Sequence, residues 1–144
     1  MEGYTTSFLV DRSAREVFEA VNNVRGWWGP NVEGGNDEVG EEFTYRVPGV
    51  HTCRLRVVER VPDEKVVWLV LENHLSFVED QSGWTGTSIS FEIHGGADGT
   101  EVRFAHLGLL PEHECYEVCS DAWGSLMHHS LPSLINTGVG HGYG

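Results

Sequence analysis

The chain has no apolar run approaching the roughly 20 residues that a membrane-spanning helix needs, so no transmembrane segment is expected. Its N-terminus, MEGYTTSFLVDRS, has neither a basic leader nor an apolar signal core. That predicts no export and a cytoplasmic location. Cysteine is scarce: Cys53, Cys115 and Cys119 are an odd number without framework spacing, which excludes a disulfide scaffold and suggests reduced thiols. Cations are scarce as well. Nine Lys and Arg face 22 Asp and Glu, for a net charge of −13. Such a balance argues against nucleic acid and anionic membrane as partners, because both are polyanions. No nucleophile elbow, phosphate loop or paired-carboxylate site is present. Gly34-Gly35 and Gly95-Gly96 read as turns, and no cofactor is implied.

What is present is enough for one domain over residues 1–144, with 40% hydrophobic residues to fill its core. One stretch has sustained helical periodicity, Pro111 to Thr137. Cys115, Val118, Cys119, Ala122, Trp123, Leu126, Met127, Leu134 and Ile135 recur at steps of three and four and form one apolar stripe. Pro111 suits a first turn, and Gly138 suits the stop. A helix of roughly 25 residues would run about 40 Å. Pro132 falls inside it, where it removes a backbone bond and disturbs the carbonyl of His128, so a kink is expected between His128 and Pro132.

The rest reads as the sheet that this helix needs. Thr5 to Val10 is a first strand, with Phe8 and Val10 on one face and Leu9 on the other. Ser13-Ala-Arg-Glu16 is a capping-box pattern opening a short helix with Val17, Phe18, Ala20 and Val21, which Gly26 should end. In Trp27-Trp28, one ring is expected in the core and the other over it. Asn31 to Gly40 reads as a polar loop. Period-two alternation then marks strands. Phe43, Tyr45 and Val47 share a face, as do Cys53, Leu55 and Val57, then Ile89, Phe91 and Ile93, then Val102, Phe104 and His106. Val66 to Leu71 is apolar throughout, so parity leaves its inward half open. Short turns between successive strands mean antiparallel pairing. The class is α+β: a twisted antiparallel sheet, dry on one face and wrapped around the terminal helix, with a hollow between them.

Several segments in this order resemble one family. Val17-Phe-Glu-Ala20 with Trp27-Trp28-Gly29 is similar to its opening helix and tryptophan motif. VVERVPDEKVVW from Val57 to Trp68 resembles its strand–turn–strand signature, and WTGTSISFEI with GTEVRFAHLGL its following hairpin. Tyr116 to Leu134 resembles its closing helix. The family is the one similar to the activator of the heat-shock protein 90 ATPase, within the START/SRPBCC helix-grip superfamily. The resemblance implies a curved sheet around a C-terminal helix with two short bracing helices. It also implies a cavity for an apolar small molecule in many members, a link to the stress response, and no catalytic set.

Candidate chemistry is sparse. His106 shares parity with Val102 and Phe104, so it is either a hydrogen-bonded core residue or a ligand contact. At most one of His128 and His129 should face inward. Glu72 and His74 share a strand face and could move a proton. His113, Cys115 and Cys119 fall short of the four closely spaced ligands of a zinc site, so no metal is expected. Tyr45, Cys53 and His106 are polar groups with inward parity, a placement that costs least where water or a ligand sits. The expected lining is therefore Trp28, Phe43, Tyr45, Cys53, Trp68, Phe91, His106, Trp123 and Met127. The leading reading is a protein binding an apolar or aromatic small molecule. The alternatives are a chaperone-regulating or other protein-binding module, and an enzyme acting on an aromatic or polyketide-like substrate through His106 with Tyr45 or Glu72. A homodimer through an edge strand is compatible with this architecture.

Overall fold

In the computed structural model of the chain, residues 3–29, 31–47, 49, 51–75, 84–109 and 116–140 are described. Seven strands, β1 (Gly3–Val10), β2 (Val32–Gly34), β3 (Glu42–Val47), β4 (His51–Val61), β5 (Lys65–Leu75), β6 (Ser88–Gly96) and β7 (Gly99–Leu107), form one curved antiparallel sheet. Their order is β1-β7-β6-β5-β4-β3-β2. From β2 to β7 each strand lies beside its successor, as short turns require. Only β1 crosses over, pairing with β7 from Gly3↔Leu107 to Val10↔Thr100. The turn that brings β7 back needs a glycine at its first residue. Gly99 has φ 129°, and the Val10 carbonyl lies where a Cβ would go.

Alternation holds on β3, β4, β6 and β7, whose inward residues are the expected ones. β5 resolves the apolar run: Val66, Trp68 and Val70 face in, and Val67 and Leu69 face out, half-buried. Two irregularities interrupt the β4–β5 ladder. Leu55 pairs with Val70 but Arg54 with Glu72, so Leu71 is an extra residue. Parity flips beyond such a bulge, which turns Asn73 inward and Glu72 and His74 outward.

Helix α1 (Ala14–Asn22) begins at Ser13, whose Oγ accepts from the Glu16 amide, and buries Val17, Phe18 and Val21. Gly26 does not end it. Asn23 does, and α2 (Val24–Trp27) follows at once with Gly26 inside it. The expected loop after it holds the edge strand β2, where Val32 lies opposite Tyr45. The terminal helix runs from Tyr116 to Thr137 in three parts: α3 (Tyr116–Ser125), a widened π-type turn (Leu126–Ser130) and α4 (Leu131–Thr137). Pro111 to Cys115, where the helix was expected to begin, lie outside the described residues. Cys119, Trp123, Leu126, Met127, Leu131, Leu134 and Ile135 are buried along it. Val118 is not; at 48% exposure it sits on the flank of the stripe. Gly138 caps the end in a left-handed conformation with its N–H on the Leu134 carbonyl. Gly140 then packs so tightly on the Gly26 carbonyl that no Cβ would fit. The residues just after the terminal helix thus pack against α2.

Candidate ligand site between sheet and helix

All nine residues expected as lining are buried on the inner side of the sheet or on the elements covering it. Phe43 and Tyr45 come from β3, Cys53 from β4, Trp68 from β5, Phe91 from β6 and His106 from β7. Trp28 ends α2, and Trp123 and Met127 come from the terminal helix. Alternation brings the strand residues to one face, and helical spacing puts Trp123 and Met127 over them. Gly29 lets the chain pass the Tyr45 ring, which would lie 3.0 Å from a Cβ there.

These side chains form a continuous set of rings. Trp28 stacks on Tyr45 with centroids 4.1 Å apart and planes 13° from parallel. It is also parallel to Trp68 at 6.2 Å and tilted against Trp123 at 5.1 Å. Trp68 meets Phe43 and Phe91 edge-on at 5.0 and 5.1 Å. Such tilted and offset pairs are each worth about 0.5–1.5 kcal/mol beyond their burial. The expectation that only one of Trp27 and Trp28 enters the core is corrected. Both are buried, near-parallel at 5.9 Å, because a helical turn followed by the α2 cap lets neighbouring rings stack. Trp27 also donates to the Val21 carbonyl.

His106 is fully buried, and both its ring nitrogens are engaged. The Trp123 indole N–H donates to Nδ1 over 3.0 Å. An indole nitrogen only donates, so Nδ1 carries a lone pair. Nε2 lies 2.8 Å from the Thr87 hydroxyl, which itself donates to the Trp84 carbonyl. The hydroxyl therefore accepts from Nε2–H. This chain fixes one neutral tautomer and ties β7, the Trp84–Thr87 turn and α3 together.

Three residues of the site went unforeseen. His51 Nε2 lies 2.7 Å from Asn73 Oδ1, and the His51 ring is edge-on to Trp84 at 4.9 Å and to Tyr45 at 5.7 Å. Trp84 is stacked on Trp123 at 5.6 Å and edge-on to His106 at 4.6 Å. Burial lowers the His51 pKa to about 4, against the Asn73 hydrogen bond, while the charge of His74 adds to the lowering. Burial also raises Tyr45 to about 12, so its hydroxyl keeps its proton. The Cys53 thiol is pushed up by burial and stays protonated too. Period-two reading missed Asn73 because the Leu71 bulge lies upstream of it.

Other expected chemistry does not assemble. Glu72 and His74 are exposed on the outer face, so neither reaches His106. His128 and His129 are both exposed, and His128 Nε2 meets the Thr6 hydroxyl at 2.8 Å. Of the weighed metal ligands, Cys119 is buried, and His113 and Cys115 lie outside the described residues. No group of three or more His, Cys, Asp or Glu is placed to hold a metal among the described residues. On the outer face, Arg54 bridges Glu42 and Glu72 at 2.6 and 3.0 Å, and Arg56 holds Glu42 at 2.9 Å. Those charges are already paired.

Sheet, bracing helices and terminal helix together define a helix-grip, START-like fold. Among solved structures, the chain is similar to Aha1 from Colwellia psychrerythraea, solved as a dimer: TM-score 0.78, 21% identity, covering 96% of this chain and 98% of that one. A protein of Staphylococcus saprophyticus matches with TM-score 0.73 and 15% identity, over 99% of this chain and 98% of that one. DynU16, from the dynemicin biosynthetic locus, matches with TM-score 0.73 and 15% identity, over 99% of this chain and half of that longer one. No family model matches the chain, and no curated protein does. No helix among the described residues is long and apolar enough to cross a membrane.

Proposed function

We propose that the protein binds an apolar or aromatic small molecule between the sheet and the terminal helix. The observation that carries this reading is an interior walled by aromatic rings with a few placed, uncharged polar groups: Tyr45, Asn73, His106 and, half-buried at its border, His51. That is the usual make-up of a small-molecule site, mostly apolar with a few polar groups that fix orientation. A close-packed core of the same size does not need four polar side chains, each of which costs energy to desolvate. The rings touch one another, so a ligand enters by parting them, and Trp28, Trp84 and Trp123 are the contacts it would exchange.

The test is native mass spectrometry of purified protein, followed by a thermal-shift screen of flat apolar compounds. A ligand at a hundred times its dissociation constant stabilises by about 2.7 kcal/mol. For a domain of this size that is a rise of roughly 8 °C or more in Tm. A screen in which no aromatic compound raises Tm removes the reading.

A homodimer is the second proposal, favoured by one comparison: the Colwellia psychrerythraea Aha1 was solved as a dimer. β1 is a sheet edge with eight residues and an exposed Leu9, a length of strand that a second copy could extend. Light scattering after gel filtration decides it, and a mass near 16.0 kDa rather than twice that would reject it.

A further inference from the structure

Two buried donors in the ring-walled interior have no acceptor. The indole nitrogens of Trp68 and Trp84 are both fully shielded, and neither has a hydrogen-bond partner among the described residues. Two of the other indoles show that this chain can satisfy such groups. Trp27 donates to the Val21 carbonyl and Trp123 to His106. An unmet buried donor costs about 1–3 kcal/mol. The two orphans are not scattered: Trp84 stacks on Trp123, Trp123 leans on Trp28, and Trp28 lies parallel to Trp68. Four indoles thus run through the interior in sequence, with an unsatisfied N–H at each end of the series.

Among the described residues, the buried polar side chains are Asn73, Ser90, Thr100, His106 and Ser130, with no Asp, Glu, Lys or Arg, so none of them brings a charge into that interior. An anion or cation brought here would lose its hydration without a counter-charge, which is expensive. A neutral acceptor loses little and supplies what Trp84 lacks. Of the two orphans, Trp84 is the one within reach. It stands on the turn Trp84–Thr87 rather than in mid-strand, and its ring borders His51, His106 and Trp123.

We infer that the site takes an uncharged, planar aromatic ligand bearing a carbonyl-type hydrogen-bond acceptor, and that the Trp84 indole N–H reads that acceptor. This rests on the ligand-binding reading above and narrows it to one ligand chemistry. Trp84 then sets specificity, while the rings of Trp28 and Trp123 provide contact area that any flat apolar molecule can use.

Three compounds of matched shape separate the two claims: 2-acetylnaphthalene, 2-ethylnaphthalene and the 2-naphthoate anion. Isothermal titration at pH 7.5, with roughly the excess needed to saturate a micromolar site, gives their relative affinities for the wild-type chain and for Trp84→Phe. The expected result is that the ketone binds wild type at least about tenfold more tightly than the ethyl compound, the factor for one recovered hydrogen bond. The naphthoate should bind more weakly than the ketone. In Trp84→Phe the ketone's advantage should fall below about threefold, because phenylalanine keeps a ring and has no donor. Equal affinity of ketone and ethyl compound for wild type overturns the acceptor inference and leaves the binding reading standing. Naphthoate binding as tight as the ketone's overturns the requirement for a neutral ligand. Failure of all three to bind overturns both readings. Should Trp84→Phe not fold, the wild-type series alone still decides between these outcomes.

Discussion

His106 occupies a position where an apolar residue would be simpler, and three neighbours are committed to keeping it there. Trp123 donates to Nδ1, Thr87 accepts from Nε2–H, and Thr87 in turn donates to the Trp84 carbonyl. A network of this kind is costly when broken at one point, because the partner left behind stays buried. Thr87→Val keeps the shape and removes the acceptor, while Thr87→Ser keeps the hydroxyl and removes a methyl. Thr87→Val should destabilise by about 1–3 kcal/mol more than Thr87→Ser. Urea unfolding would show this as a lower midpoint at unchanged m. Equal midpoints for the two variants would mean that the hydroxyl does not hold His106. The inward parity of His106 was readable from Val102 and Phe104. Its partners were not, because Thr87 lies 19 residues away and Trp123 lies 17 away on another element.

The terminal helix shows the same division between local pattern and tertiary consequence. Pro132 was expected to kink it near His128, since proline has no N–H for that carbonyl and its ring crowds it. The chain answers with a widened turn over Leu126–Ser130, in which the Leu131 N–H reaches back to the Leu126 carbonyl. Pro132 is thereby placed in the first turn of α4, where a missing N–H is tolerated. The turn leaves Leu126, Met127, Ser130 and Leu131 all buried, and the Ser130 hydroxyl donates to the Trp27 carbonyl over 2.6 Å. Because the proline is accommodated, Pro132→Ala should change stability by less than about 1 kcal/mol in either direction. A proline forced into a regular helix would instead return about 3 kcal/mol on replacement. A gain of that size in thermal or urea unfolding would show the helix to be strained. Elements with strong periodicity were legible from sequence: β3, β4, β6, β7 and the helical stripe. What escaped were features set by neighbours. The inward half of β5 follows from its pairing partners, Asn73 from the Leu71 bulge, β2 from its place beside Tyr45, and the joint burial of Trp27 and Trp28 from α2. For the site, parity found the rings and, carried one step before Cys53, also points His51 inward, whereas Trp84 stands on a turn, where parity carries no information.

At the scale of the whole molecule, the interior depends on staying uncharged, which links its stability to pH through His51. In the unfolded chain this imidazole takes a proton near pH 6.5. In the folded protein burial against Tyr45 and Trp84 holds its pKa at about 4. Between those two values the unfolded state binds more protons than the folded one, so stability must rise with pH across that window. The difference corresponds to roughly 3 kcal/mol lost as pH falls from 6.5 to 4, with no further loss from this group below pH 4. Glu42 acts in a lower range. Arg56 and Arg54 hold its carboxyl below the usual value, so its contribution is present above about pH 4.5 and fades on further acidification. The two groups are therefore separable by where the slope appears. His51→Phe keeps a ring against Trp84 and removes the hydrogen bond to the Asn73 side-chain oxygen, so it should be less stable than wild type at neutral pH. It should also lose most of the slope between pH 6.5 and 4, while the decline at lower pH persists. Urea midpoints measured at half-unit steps from pH 7.5 to 3.5 give both curves. A His51→Phe curve parallel to that of the wild type across the upper window would mean that another group carries the linkage. The neutral interior would then need a different guardian.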